Sequence, residues 1–237
     1  MIRPQIFCLP QAGADAACFM AWQPLMSALA DLHPVPLPGR GPRLDEPAET
    51  NFSTLCDRIF AEIDALANDP FFLMGSSMGG WMAYEIARRF QKRAGRVPCG
   101  IITLCSPMPA ALQKLPELNN PDTLAADIIG INPIFEEVTQ YPELLDMILP
   151  TMQADFRMCN AYRPDAANKV GMPILGFAGA DDPLVTPEAM KGWQAFTTAG
   201  FDMTVVPGAH DLHVRPTAAM ADRIGAFLSA SLDALAE

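Results

Sequence analysis

The residues best suited to chemistry form a glycine-flanked serine motif, Gly-Ser-Ser-Met-Gly, at positions 75–79. This motif fits G-x-S-x-G, in which the central serine, here Ser77, can attack an acyl carbonyl. An apolar run at 71–74 precedes the motif and an amphipathic stretch follows it, so the strand, turn and helix that a nucleophile needs are all predicted. The alternative is a glycine–serine loop in which Ser76 or Ser77 caps a helix.

A serine nucleophile needs a base, and the chain has three histidines, His33, His210 and His213. His33 is predicted to lie in an early surface turn. The other two follow the last strand-like run, which gives the chain order serine, acid, histidine that this kind of site uses. His210 comes directly after the turn at Gly208-Ala209 and is the predicted base, with His213 as the alternative.

The acid that orients the histidine is expected after the apolar run 174–178, where Asp181 and Asp182 are adjacent. Aspartate commonly forms turns through its own backbone, and one of the two is expected to do so. Asp182 precedes Pro183, which restricts its backbone and its direction. We therefore predict Asp182 as the orienting acid and Asp181 as the turn residue.

An oxyanion hole is expected from two backbone N–H groups. The first belongs to Met78, the residue after the nucleophile, and the second to the loop after an early strand. That loop is residues 10–15, whose small side chains allow close approach. Ala12 is the predicted second donor and Gln11 the other candidate; a plain glycine turn is the structural alternative. This chemistry requires no metal and no organic cofactor.

The elements that must position these residues alternate between short apolar runs and longer helical patterns. This order predicts an α/β protein with a mostly parallel sheet flanked by helices, the α/β-hydrolase fold. Strands are predicted at 6–9, 71–74, 101–105, 174–178 and 203–206, an extended piece at 35–38, and helices around 19–29, 55–66, 78–90 and 220–235.

One segment, about 107–164, interrupts the alternation with prolines, helical patches and no clear strand. We predict a helical lid inserted into a single domain that spans 1–237; ordinary helical cover of a sheet face is the alternative. The segment carries Met108, Met147, Met152 and Met158. Methionines adapt to varied apolar partners, so they suit either a permissive acyl pocket or the core.

Composition excludes several function classes. A net charge of −11 argues against nucleic acids and anionic membranes as partners. No apolar run could span a bilayer, and the N-terminus lacks a signal-peptide pattern, so a cytoplasmic protein is expected. The six scattered cysteines predict reduced, mostly buried thiols and no metal site. Five basic residues within 88–96 indicate a solvated helix end rather than a docking patch.

Several short motifs are spread along the chain. They are Leu9-Pro10-Gln11-Ala12-Gly13, Leu37-Pro38-Gly39-Arg40-Gly41-Pro42-Arg43 with Glu46-Pro47, the motif at 75–79, Leu149-Pro150, Ala154-Asp155-Phe156 with Tyr162, Asp182-Pro183-Leu184-Val185, and Gly208-Ala209-His210. Over nearly its whole length the chain resembles the stand-alone type II thioesterases of nonribosomal peptide and polyketide synthesis. The Leu-Pro-Gly-Arg and Ala-Asp-Phe motifs are the most specific.

This resemblance implies removal of acyl groups from the phosphopantetheine thiol of carrier proteins, which clears stalled or misprimed chains. It implies a monomer without a cofactor. The chain departs from the family at Ser76, where a histidine is usual, and at Ala14, Gln153 and 211–212. The alternatives are a generic carboxylesterase or acyl-CoA thioesterase of the same fold, and a catalytically inactive hydrolase fold that binds a partner.

Overall fold

The computed structural model describes residues 3–93, 95–107, 114–131, 136–165 and 167–236. Within these ranges six strands form one sheet in the order β2-β1-β3-β4-β5-β6, and every pairing is parallel. The strands are β1 Gln5–Leu9, β2 Asp31–Pro34, β3 Phe71–Ser76, β4 Ile101–Leu104, β5 Ile174–Gly179 and β6 Phe201–Val206. The predicted parallel α/β architecture is confirmed.

Helices cover both faces of this sheet. They are α1 Gln23–Met26, α2 Phe52–Leu66, α3 Met78–Arg93, α4 Leu124–Ile131, α5 Pro142–Ala161, α6 Pro187–Met190 and α7 Ala218–Ala236. Short 3₁₀ segments lie at Ala16–Trp22, Gly41–Arg43, Val138–Gln140 and Lys191–Phe196.

The central strands are apolar on both faces, which explains why they read as continuous apolar runs. In β1, Phe7 and Leu9 pack in one core cluster with α2 and α3. Ile6 and Cys8, which point to the opposite face, pack in a second cluster with Trp22 and α7. A parallel sheet covered in this way exposes its two ends, and its carboxyl edge is where ligand sites form.

Two predictions near the N-terminus were wrong, and one strand was missed. That strand, beside β1, is Asp31–Pro34 and directly precedes the extended piece predicted at 35–38. Its pairing with β1 places His33 opposite Phe7, with ring centroids 5.1 Å apart, so His33 belongs to a strand and not to a surface turn. The helix expected around 19–29 is a 3₁₀ segment followed by one α-helical turn that begins beside Pro24, where the missing N–H interrupts a continuous helix.

The segment between β4 and β5 is helical in its described parts. Helix α5 contains Pro150, and the burial of its residues changes there. Its first half is mostly exposed or half-buried, whereas 151–159 is mostly buried. Met108 lies outside the described residues. The boundaries of the predicted insertion at 107–164, its role as a lid and the single domain spanning 1–237 stay predictions.

Surface charges near the end of α3 are neutralised locally. Arg88 and Arg89 pair with Glu85 at 2.7 and 2.9 Å, Arg89 also pairs with Asp57 at 2.6 Å, and Arg93 pairs with Asp64. Arg88 and Arg89 are half-buried in these pairs, whereas Lys92 and Arg93 at the end of α3 are exposed. All six cysteines are free, and four of them are buried. No helix in the described ranges has the length and apolarity needed to cross a membrane.

A buried histidine ties the loop after β6 to the N-terminal half of the chain. The indole Nε1 of Trp22 donates a hydrogen bond of 2.8 Å to the backbone oxygen of His213, and His213 is only 1% exposed. Burial, reinforced by the nearby His210, lowers the pKa of His213 from 6.5 to about 3. His213 is therefore neutral in the folded protein near pH 5.

This burial predicts a specific pH dependence of stability. Below pH 6.5 the unfolded chain protonates His213 but the folded chain does not, so the free energy of unfolding falls as the pH decreases toward 3. When the pH is lowered from 7.5 to 5.0, His213 alone should reduce the free energy of unfolding by about 2 kcal/mol. In urea unfolding, the free energy of unfolding of His213→Gln should fall less between pH 7.5 and 5.0 than that of the wild-type protein. The difference between the two decreases should be about 2 kcal/mol. Parallel curves for the two proteins would contradict the prediction.

Candidate active site

The serine motif forms a strained turn between β3 and α3. Ser77 has a positive φ of 50°, which is uncommon for a residue with a side chain. A Cβ on Gly75 would lie 2.0 Å from the carbonyl oxygen of Gly79, and a Cβ on Gly79 would lie 2.1 Å from the carbonyl oxygen of Leu9. The two glycines are therefore required because backbone passes directly against them.

Two backbone groups of Ser77 are held by the end of the neighbouring strand. Its N–H donates to the oxygen of Leu104 at 2.9 Å, and its carbonyl accepts from Ser106 Oγ at 2.8 Å. The backbone oxygen of Ser106 in turn accepts from Trp193 Nε1 at 2.6 Å. Sequence reasoning missed Ser106, although its position directly after a core strand is the signal that could have indicated it.

The two serines of the motif have different surroundings. Ser76 is the last residue of β3 and is fully buried, and its Oγ has no hydrogen-bond partner among the described residues. Ser77 lines a cavity at the carboxyl edge of the sheet together with His210. Ser77 lines this cavity and Ser76 does not.

Asp182 and His210 form a buried acid–base pair. Asp182 Oδ2 lies 2.8 Å from His210 Nδ1, and the side chains are 0% and 4% exposed. The other carboxylate oxygen accepts from the N–H groups of Leu184 at 2.9 Å and Val185 at 3.0 Å. Burial alone would raise the pKa of Asp182, but the hydrogen bond and charge of His210, helped by the two N–H groups, lower it below its usual value. Asp182 is thus held as a carboxylate.

The alternative acid and base are placed elsewhere. Asp181 is exposed, and its backbone N–H donates to Gly208 at 2.9 Å, as expected of a turn residue. His213 is buried and does not line the cavity, and its Nδ1 lacks a partner in the described part of the chain. The structure therefore brings together Asp182 and His210 from the ends of β5 and β6, with Ser77 on the same cavity.

The cavity is mostly apolar. Gln11 and Ala12 from the loop after β1 line it beside Ser77 and His210. The remaining wall comes from Trp81 of α3, Leu184, and residues of the segment between β4 and β5, namely Leu115, Ile131, Phe156 and Cys159. None of the three methionines of this segment that the structure describes lines the cavity: Met152 and Met158 are buried in the core and Met147 is 47% exposed. Met152 and Met158 are therefore core residues, as one of the two predicted roles for these methionines required.

Backbone N–H groups are available beside the cavity. In the loop after β1, Gly13 N donates to Asp155 Oδ2 at 2.8 Å, and Ala14 N donates to Gln11 O at 3.1 Å. The N–H groups of Ala12 and Met78 have no acceptor among the described residues. These are the two groups that the sequence predicts as oxyanion donors.

One side-chain set near the pair could also ligate a metal ion. The ligand atoms of Cys105, Asp182 and His210 all lie within 4.8 Å of one another. Burial and then the charge of Asp182 raise the pKa of Cys105 well above its usual value, so this thiol is protonated near neutral pH. Both oxygens of Asp182 already accept hydrogen bonds. The set therefore fits a hydrogen-bonded acid–base pair better than a thiolate metal site.

Comparison with known proteins identifies thioesterases as relatives of this chain. The family profile described as "Thioesterase domain" matches residues 4–228. Thioesterase TesA of Mycobacterium leprae is 31% identical over 212 residues, which cover 87% of this chain and 80% of that protein.

Solved structures agree. The RedJ thioesterase from the prodiginine biosynthetic pathway of Streptomyces coelicolor superposes with a TM-score of 0.82 at 27% identity, covering 96% of this chain and 90% of its own. The type II thioesterase BorB from the borrelidin biosynthetic cluster superposes with a TM-score of 0.76 at 27% identity, covering 98% and 92%. This chain thus belongs to the thioesterase family, as a hydrolase with the α/β-hydrolase fold whose relatives are type II thioesterases of nonribosomal peptide and polyketide pathways.

Proposed function

We propose that this thioesterase hydrolyses acyl groups from the phosphopantetheine thiol of carrier proteins, and so clears stalled or misprimed synthase modules. The observation that carries the proposal is the buried Asp182–His210 hydrogen bond of 2.8 Å on the cavity that Ser77 lines. The type II thioesterases among its structural relatives support the carrier-bound substrate.

The proposed mechanism uses three side chains. Ser77 attacks the thioester carbonyl while the Nε2 of His210 takes the hydroxyl proton. Asp182 holds Nδ1 of His210 as a donor, which leaves Nε2 free to accept and stabilises the imidazolium that forms. The N–H groups of Met78 and Ala12 stabilise the oxyanion. Collapse of the tetrahedral intermediate releases the thiol, which receives the proton from His210, and leaves Ser77 acylated.

Deacylation repeats the same sequence with water. His210 takes a proton from a water molecule, the resulting hydroxide attacks the acyl-enzyme, and Ser77 leaves with that proton. All the groups this requires come from the chain itself, so we propose a mechanism without metal or organic cofactor.

The acyl chain is proposed to occupy the apolar part of the cavity. Ile131 of α4 and Phe156 of α5 contribute to its wall, so the segment 107–164 is proposed to act as a lid over the bound chain. The net charge of −11 gives no long-range attraction to acidic carriers, so we propose weak recognition through a local contact and the pantetheine arm. We further propose a monomeric, cytoplasmic enzyme, consistent with six free cysteines.

Removal of the nucleophile distinguishes Ser77 from its neighbour. Ser77→Ala should reduce kcat by roughly a thousandfold or more, because the covalent route is lost. Ser76→Ala, the matched control on the same turn, should cost far less. Thioester hydrolysis and labelling by a fluorophosphonate measure both effects. Equal losses in the two variants would contradict the assignment, and an unlabelled wild-type protein would favour the inactive binding protein.

The orienting acid can be tested with the adjacent pair of aspartates. Asp182→Asn should lower kcat by roughly a hundredfold or more, because an amide no longer holds the reactive tautomer of His210. Asp181→Asn should change kcat little, since Asp181 is exposed. Steady-state kinetics of both variants on one substrate make the comparison, and the reverse order of effects would transfer the role to Asp181.

Substrate class can be tested by placing one acyl group on two supports. Acyl-carrier protein should exceed the matching acyl-CoA in kcat/KM by roughly tenfold to a hundredfold, because the carrier adds binding energy remote from the reacting bond. An aryl ester of the same acid completes the comparison. Equal or faster hydrolysis of the CoA or aryl ester would replace the carrier-clearing function with the generic esterase.

A further inference from the structure

An ion pair is buried behind the loop that carries Ala12. Arg40, in the loop after β2, donates from Nη1 and Nη2 to the two oxygens of Asp155 on α5, at 2.5 and 3.0 Å. The side chains are 7% and 0% exposed. Neither residue lines the cavity of Ser77 and His210. Both belong to the sequence motifs for which the proposed mechanism assigns no task.

Asp155 makes a third contact that connects it to the site. Its Oδ2, which already accepts from Arg40, also accepts from the backbone N–H of Gly13 at 2.8 Å. Gly13 follows Ala12 directly. It has a φ of 74°, and a Cβ there would lie 2.5 Å from Met152 Cγ of α5. Helix α5 therefore abuts the loop so closely that only glycine fits between them.

The two peptide planes that flank Ala12 are both fixed by hydrogen bonds. The plane between Ala12 and Gly13 is held by the Gly13 N–H on Asp155. The plane between Gln11 and Ala12 is held by the Gln11 carbonyl, which accepts from Ala14 N at 3.1 Å. Because a peptide unit is planar and trans, the Gln11–Ala14 bond sets the direction of the Ala12 N–H within the turn, and the Gly13–Asp155 bond anchors that turn against α5.

Stability alone does not account for this arrangement. Burying a guanidinium and a carboxylate carries a desolvation penalty that their attraction often only offsets, so apolar replacements of both are frequently as stable. An apolar pair, however, could not accept the Gly13 N–H. The ion pair thus supplies a charged acceptor at one fixed point in the interior.

We propose that Asp155, held in place by Arg40, is a positioning residue that orients the oxyanion donor Ala12 through Gly13. This inference rests on the proposed function of the site. It also makes the buried half of α5 part of the oxyanion hole's support. Loss of Asp155 should weaken binding of the transition state more than binding of the substrate, since the charge on the oxyanion develops only in the transition state.

The first test uses a variant without an acceptor and a matched control. Asp155→Leu should lower kcat by about tenfold to a hundredfold and leave KM within about twofold, measured on a small acyl thioester of N-acetylcysteamine. Thr197→Val removes a buried hydrogen bond elsewhere in the fold, that of Thr197 Oγ1 to Met172 O at 2.7 Å, and Thr197 lies outside α5 and outside the loops of Ala12 and Arg40. It should lose stability but keep kcat within about twofold of the wild-type value.

A double variant separates positioning from structural support. Arg40→Met with Asp155→Leu removes both charges together and should recover much of the stability lost in Asp155→Leu alone, as urea unfolding would show. Its kcat should stay as low as that of Asp155→Leu, because the Gly13 N–H has no acceptor in either variant. Affinity for a trifluoromethyl ketone, which forms a tetrahedral oxyanion adduct on the serine, should fall in both variants in proportion to kcat/KM.

Each outcome is decisive. Recovery of both stability and kcat in the double variant would overturn the inference and leave the pair a purely structural role. If the double variant does not fold, a folded Asp155→Leu protein with wild-type kcat and ketone affinity would overturn it as well. An inactive, unlabelled wild-type enzyme would instead reject the proposed function, so the two failures are distinguishable.

Discussion

The left-handed turn at Ser77 constrains the architecture around it. A residue with a side chain persists at a φ of 50° only where its surroundings hold it, and here the end of β4 does so through Leu104 and Ser106. The approach of Gly79 to Leu9 also brings the loop after β1 against the start of α3. The turn thereby joins the serine to the loop that carries Ala12, between the two strands at which the strand order reverses.

The acid–base pair depends on a different pairing. In the register of β5 with β6, Gly179 lies opposite Val206, so both strands end at the same level of the sheet. The loops that follow them are joined by the bond from Asp181 N to Gly208 O. This juxtaposition brings Asp182 Oδ2 to 2.8 Å from His210 Nδ1, although the two residues are 28 positions apart in the chain.

Long-range contacts then enclose the site. Trp22 holds the loop of His213 from one side, while Asp155 reaches Arg40 and Gly13 from the other. Each contact joins segments more than a hundred positions apart, and each uses a buried polar atom whose partner must be present. The cavity wall is assembled from α3, α4 and α5 in the same way. The site is therefore a product of the whole fold rather than of one motif.

The sequence by itself determined what is encoded locally. The alternation of apolar runs and helical patterns predicts the parallel sheet, and the glycines around Ser77 predict the strand–turn–helix, because both depend on residues a few positions apart. The sequence also indicated Asp182 through Pro183, but the contact of Asp182 with His210 exists only in the tertiary structure, because it joins two loops that follow different strands. The tertiary structure likewise revealed Ser106 and the third bond of Asp155, and it placed the second strand at Asp31–Pro34, directly before the extended piece predicted at 35–38. These depend on strand register and on contacts between distant segments, which spacing along the chain does not express.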